Sequence, residues 1–200
     1  RFLSEVFAAF GLDAEVIPNV VDRSRFAFRL RDPIRPRFIS TRNLEPMYNV
    51  GCTIRAFGLV QQRYPGATLT IVGAGSQQRA LEQETSRLGI GGVRFVGRVP
   101  PDAIAAFYSD ADVYLQSPDI DNMPLSVLEA FASGLPVVST NAGGVPALVA
   151  DGVNGLLVPM NDERALAACA LRILEEPGLA RSLSIAAHSA TDAYDWDSVR

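Results

Sequence analysis

The chain of 200 residues has no lysine; all 18 basic residues are arginine. That absence removes every mechanism that needs a lysine amine: a Schiff base, a phosphate-binding P-loop, a lysine general base. Histidine is nearly missing as well. The single His188 cannot build a histidine-rich metal centre and has little company for a serine–histidine triad. Two cysteines, Cys52 and Cys169, form no C-x-x-C pair, so free thiols in a reducing, cytoplasmic compartment are expected. No apolar run approaches the roughly 18 residues that a membrane-crossing helix needs. A net charge of −4, from 22 acidic and 18 basic side chains, argues against a general nucleic-acid or polyphosphate binder.

What is present suffices for one ordinary domain with its own core, since 48% of the residues are hydrophobic. The first residue is Arg1, not Met. Phe2, Leu3, Val6, Phe7 and Phe10 already follow a helical spacing over Arg1–Phe10, so the chain is expected to be a piece of a longer one. Gly11 breaks that pattern. Ala14–Ile17 reads as a short strand ended by Pro18-Asn19. Asp22–Arg37, with six arginines, Pro33 and Pro36, reads as a linker lying on the surface of the domain that begins after it.

From Phe38 the texture changes. Strands are expected at Arg37–Ser40, Thr68–Val72, Val93–Val96, Val113–Gln116, Pro136–Ser139 and Gly155–Val158. Helices are expected at Val50–Tyr64, Gln77–Leu88, Pro101–Tyr108, Leu125–Ser133, Val145–Ala150 and Glu163–Glu175. Strands alternating with helices mean βαβ units. The fold class is therefore α/β: a Rossmann-like, doubly wound parallel sheet of about six strands with helices on both faces. Leu179–Ser189 adds a further helix. The terminal Asp192–Trp196 segment packs either on this domain or on something outside it.

In such sheets ligands bind beyond the carboxyl ends of the strands, so the loops there carry the chemistry. After the first strand stands Arg42, a fixed cation suited to a phosphate or carboxylate; a surface pair with Glu45 is the alternative. After the second comes Gly73-Ala74-Gly75. It resembles part of a dinucleotide fingerprint, but Gln78 stands in the third glycine's place; a tight strand-to-helix turn is the favoured explanation, and the loop can still line a cleft. After the third, the backbone of Arg98 and Val99 could meet the edge of a heterocycle, or simply turn into the next helix.

The fourth strand leads into the most informative run, Asp121-Asn122-Met123-Pro124-Leu125-Ser126, with Glu129 beyond it. Pro124, preceded by Asn122, fits a helix start. The Leu125 and Ser126 amides are then free donors at the positive end of the helix dipole, an anion site. Glu129 shares their face one turn deeper and can accept from two neighbouring hydroxyls, as on a ribose. Asp121 can accept from a second polyol. A nucleotide-sugar satisfies all three. The alternative is that Asp121 and Asn122 cap the helix and Glu129 makes a surface ion pair. After the fifth strand, Gly143-Gly144 permits close approach of a ligand or of another loop.

Taken in order, these segments resemble the C-terminal half of the large retaining glycosyltransferase family of GT-B fold, typified by glycogen synthase and bacterial mannosyl- and glucosyltransferases. The resemblance rests on Ile17-Pro18-Asn19-Val20-Val21-Asp22, Arg42, Gly73-Ala74-Gly75, Phe95–Val99, Pro124–Ala130, Gly134–Val138, Gly143–Pro146, Asp151–Gly155 and Asp195-Trp196.

The resemblance implies a division of the chain: 1–22 as the end of a preceding region and linker, 23–185 as the nucleotide-sugar donor-binding domain, and 186–200 as a C-terminal helix returning toward an N-terminal acceptor domain upstream. It implies glycosyl transfer with retention of configuration, of hexosyltransferase type, in polysaccharide or glycoconjugate biosynthesis. Glu129 would hold the ribose, Asp121 the transferred sugar, the Leu125 and Ser126 amides the diphosphate, and Arg42 would neutralise it as it leaves. Gly143 and Gly144 would lie near the diphosphate, and Arg98 and Val99 would read the base. A UDP-, GDP- or ADP-sugar is the expected donor, with no metal and no cofactor. No nucleic acid is expected, and membrane contact would be peripheral and belong to the upstream half. The isolated piece would bind donor weakly and transfer nothing. Two departures stand out: the family's first acid is usually Glu followed by Gly, and a lysine commonly follows the arginine. Here Asp121-Asn122 and Met47-Tyr48-Asn49 occupy those places. Other readings are a nucleotide-sugar epimerase of the same fold and a non-catalytic nucleotide-binding module.

Overall fold

The computed structural model describes residues 2–13, 15 and 17–199. Six strands, β1 (Arg37–Ser40), β2 (Thr68–Val72), β3 (Val93–Gly97), β4 (Val113–Leu115), β5 (Val137–Thr140) and β6 (Leu156–Val158), form one parallel sheet in the order β3-β2-β1-β4-β5-β6. The helices are α1 (Phe2–Ala8), α2 (Val50–Arg63), α3 (Gln78–Arg87), α4 (Ile104–Asp110), α5 (Leu125–Ala132), α6 (Glu163–Glu175), α7 (Leu179–Ala190) and α8 (Trp196–Val199). The fold is the expected Rossmann-like α/β sheet with helices on both faces.

Alternation along the strands builds two cores. Phe38, Val113, Leu115 and Val138 face Ile54, Phe57, Leu81 and Leu166 of α2, α3 and α6. Their neighbours Ile39, Tyr114 and Val137 face Tyr108, Val127, Leu128 and Phe131 of α4 and α5. Successive side chains point to opposite faces of a strand, so a sheet covered on both sides needs runs that are apolar throughout. The central strand β4 is buried at all three of its positions.

Several boundaries differ from expectation. Val145–Ala150 is not an α-helix but a single 3-10 turn at Val145–Ala147, because Pro146 leaves too short a run before the turn at Asp151–Gly155. The helix expected from Pro101 begins at Ile104, after a turn closed by the Ala103 amide on the Pro100 carbonyl. The expected strand at Ala14–Ile17 falls on residues 14 and 16, which lie outside the described residues. Residue 185, the expected end of the domain, lies inside the unbroken α7. At the chain's end Tyr194 packs on the α4–α5 core and accepts from the Val21 amide, whereas Trp196 is exposed.

The Asp22–Arg37 segment is more than a surface linker. Phe26 and Arg31 are buried. The Arg31 guanidinium donates to the carbonyls of Tyr108 (3.0 Å), Ala111 (3.2 Å) and Ser133, at the C-terminal ends of α4 and α5. The Tyr108 carbonyl also accepts from the Ala111 amide that closes α4; the last carbonyls of a helix have no further turn to bond, and a cation there also meets the negative end of each helix dipole. The segment is a strap fastened by its arginine, and burial pulls that guanidinium down to about 10.

Candidate functional site

The strand order reverses between β1 and β4, so the loops leaving these two strands diverge and open a crevice. Arg42 enters from the β1 side with its side chain 9% exposed. Nη2 donates to Asp121 Oδ2 at 2.5 Å and Nη1 to Ser126 Oγ at 3.0 Å. Its Cζ lies 4.1 Å from the centre of the Tyr48 ring, a cation–π contact. Nε is buried without an acceptor among the described residues. The expected alternative partner, Glu45, is engaged elsewhere: it accepts from the Ser76 amide and hydroxyl, which hold its carboxyl below the usual range. Asp121 is 10% exposed. Burial pushes its carboxyl up, and the Arg42 charge offsets only part of that.

Helix α5 starts against this pair. Pro124, extended at φ −67° and ψ 111°, is the residue before the first turn, and no side chain caps it. The alternative role of Asp121 and Asn122 as caps is therefore excluded: Asp121 faces Arg42, and Asn122 is exposed. The Leu125 and Ser126 amides donate to no acceptor among the described residues, while Val127 N turns back to the Pro124 carbonyl. Helices α2 and α6, by contrast, begin with capping side chains, Asn49 and Asp162. One turn along α5, Glu129 makes no ion pair among the described residues. It accepts from the Tyr108 hydroxyl at 2.8 Å, and burial raises its carboxyl above the ordinary value while that hydrogen bond opposes the rise. Ser126 is the meeting point: its hydroxyl takes Arg42, and its carbonyl lies 3.1 Å from the Tyr108 hydroxyl that also holds Glu129.

The glycine loops stand beside these groups, packed on backbone. A Cβ on Gly73 would overlap the Arg42 carbonyl, and one on Gly75 the Leu44 carbonyl. A Cβ on Gly143 or Gly144 would overlap the carbonyls of Asp121 and Asn122, and the Gly144 amide donates to Asp121 O at 2.9 Å. Arg98 is exposed with no ion-pair partner among the described residues; Val99 packs on the α4–α5 core. His188 is committed to structure on α7, its ring tilted against Phe28 with centroids 4.1 Å apart and Nδ1 3.2 Å from the Ala132 carbonyl.

Sequence reading misses Tyr48 and Tyr108. Tyr48 falls in the Met47-Tyr48-Asn49 stretch noted above, but nothing in that stretch singles it out. Tyr108 carries a usable signal: it follows the apolar run Ile104–Phe107, and a tyrosine buried with such a run needs a partner for its hydroxyl.

The domain is a doubly wound α/β fold whose switch point brings together a bare helix start, an arginine and two acids. The family Glycosyl transferases group 1 matches residues 23–190, and the chain belongs to that family. It is 31% identical, over 98% of its length, to a GDP-mannose-dependent alpha-(1-6)-phosphatidylinositol monomannoside mannosyltransferase of Mycolicibacterium smegmatis, covering 57% of that protein. A glycogen synthase of Mycobacterium tuberculosis is also 31% identical over 98% of the chain, which covers 49% of it. The chain thus spans about half the length of the relatives it matches.

Among solved structures, Anabaena Alr3699/HepE in complex with UDP and glucose superposes with a TM-score of 0.85 at 24% identity, over 98% of this chain and 58% of that one. The C-terminal domain of a glycosyl transferase group 1 family protein from Francisella tularensis, at 21% identity, has a TM-score of 0.77 over 88% of this chain and 99% of that one. Those likenesses show the fold, that of the C-terminal domain of GT-B glycosyltransferases. No helix among the described residues is long and apolar enough to cross a membrane.

Proposed function

We propose that this domain binds the nucleoside diphosphate half of a nucleotide-sugar and that the whole protein transfers the sugar, a hexose, to an acceptor with retention. The observation that carries this is the α5 start: two amides without an acceptor among the described residues, beside a buried arginine whose Nε likewise lacks one, with a carboxylate on either side. A diphosphate satisfies the amides and meets the charge of Arg42. Glu129, one turn deeper, accepts from ribose hydroxyls, and Asp121 faces the transferred sugar. As the glycosidic C–O bond breaks, negative charge grows on the departing diphosphate, and fixed donors already aimed there stabilise it. The reading uses no metal, no cofactor and no protein nucleophile. It places a second domain, carrying the acceptor, opposite this face. Two relatives, a GDP-mannose-dependent mannosyltransferase and a glycogen synthase, support transfer of a hexose from a nucleotide donor.

Because Asp121 already neutralises Arg42, a donor must share or displace that contact. This predicts weaker diphosphate binding than a free arginine would give. Titrating UDP, GDP and ADP into the full-length protein, with Glu129→Ala and Arg42→Ala beside it, tests the reading. A nucleotide that binds at millimolar concentration or below, and more weakly to both variants, supports it. Equal binding to the variants overturns the site.

A further inference from the structure

We propose that Tyr108 is a positioning residue of the donor site: its phenol fixes one oxygen of Glu129 so that the other stays turned to ribose hydroxyls. This rests on the reading of Glu129 as the ribose acceptor. Tyr108 stands near the end of α4 and is fully buried. Its ring is held edge-on by Phe26, with centroids 5.7 Å apart, and stacked on Tyr114 at 6.1 Å. Its hydroxyl meets three groups: Glu129 Oε2 at 2.8 Å, Thr41 Oγ1 at 2.6 Å and the Ser126 carbonyl at 3.1 Å.

Proton counting orders these contacts. The phenol has one proton, and a carboxylate is a stronger acceptor than a neutral carbonyl, so the proton goes to Glu129. Thr41 then donates to the phenol oxygen; its other option, the Tyr114 hydroxyl, lies 3.5 Å away. Tyr114 in turn donates to Gln116 Oε1 at 3.1 Å. The result is a polarised chain, Thr41 to Tyr108 to Glu129, in which each bond strengthens the next. Burial lifts the phenol well above its ordinary range, so it remains a donor at neutral pH. Glu129 Oε1 meets no partner among the described residues. Thr41 immediately precedes Arg42, so the chain also ties the loop of the diphosphate cation to the ribose carboxylate.

The test uses the full-length protein and whichever of UDP, GDP or ADP binds it most tightly, beside the 2′-deoxy and 3′-deoxy forms of that nucleotide. The unaltered protein is expected to prefer the ribonucleotide. In Tyr108→Phe, ribonucleotide affinity falls by roughly tenfold and deoxynucleotide affinity hardly changes, so the preference collapses. Thr41→Val, which keeps the phenol but removes its donor, is expected to give a smaller loss in the same direction; it carries the test if Tyr108→Phe does not fold. Equal weakening of ribo- and deoxynucleotides means that Tyr108 merely supports the fold, and overturns the proposal. A wild-type protein that binds the nucleotide without preferring ribose removes Glu129 as ribose acceptor, and Tyr108's role with it, while leaving the diphosphate site standing.

Discussion

The glycine loops after β2 and β5 and the charged loops after β1 and β4 end at the same rim of the sheet, yet they do different work. Gly73, Gly75, Gly143 and Gly144 give up their side chains so that one loop can lie directly on the carbonyls of the next. Arg42, Asp121, Ser126 and Glu129 are the groups those loops hold in place, and among the described residues three donors there find no acceptor: the buried Arg42 Nε and the Leu125 and Ser126 amides. The first set shapes the crevice by close packing, and the second supplies its chemistry. Gly143 and Gly144 rest on the backbone of Asp121 and Asn122, so the chemical set depends on the packed one for its placement.

The largest expected effect breaks the charged side of this comparison. Arg42→Met leaves Asp121 buried without its cation and should destabilise the fold by about 3–5 kcal/mol. In urea unfolding, most of that loss should return when Asp121→Asn is added. Next comes the packed side. Gly144→Ala forces a backbone overlap at Asn122 and should cost about 2–3 kcal/mol, whereas Gly97→Ala, at φ +81° but in open space, should cost only about 1 kcal/mol. Equal losses at the two glycines would mean that close packing does not position Asp121.

A smaller effect is expected from Glu129→Gln, and it has a pH signature. Burial raises the folded carboxyl above its ordinary value, so from about pH 4.5 upward the folded state holds more protons than the unfolded one. Stability contributed by this group therefore falls as pH rises through that window. The glutamine variant lacks the descent, and its unfolding midpoint should gain on wild type from pH 4.5 toward neutrality. Asp121, raised in both proteins, cancels from the difference. The smallest effect is Tyr48→Leu, which removes the ring beneath Arg42 and should weaken diphosphate binding by about 0.5–1 kcal/mol, read by titration against the nucleoside alone.

Much of this was legible in the residues. The strand–helix alternation gave the sheet, and the sheet gave the switch point where Arg42 and Asp121 meet. The eight-residue step from Asp121 to Glu129 across a proline-started helix marked both carboxylates. Their environment was not legible, because it comes from distant segments. Nothing near Arg42 in sequence says that Asp121, 79 positions on, would be its partner. Nor does anything near Glu129 announce Tyr108. The glycines could be spotted, but whether a ligand or a neighbouring loop would fill the space beside them depends on tertiary contacts. Arg31 looked like one arginine among six in a linker, and only the helix ends brought together by folding show what it fastens.

That fastening has a mechanical corollary. The guanidinium of Arg31 grips the backbone of Tyr108, the same residue whose phenol reaches Glu129. A tug on the strap is thus delivered to the last turn of α4, and the reach from there to the carboxylate is a single aromatic ring.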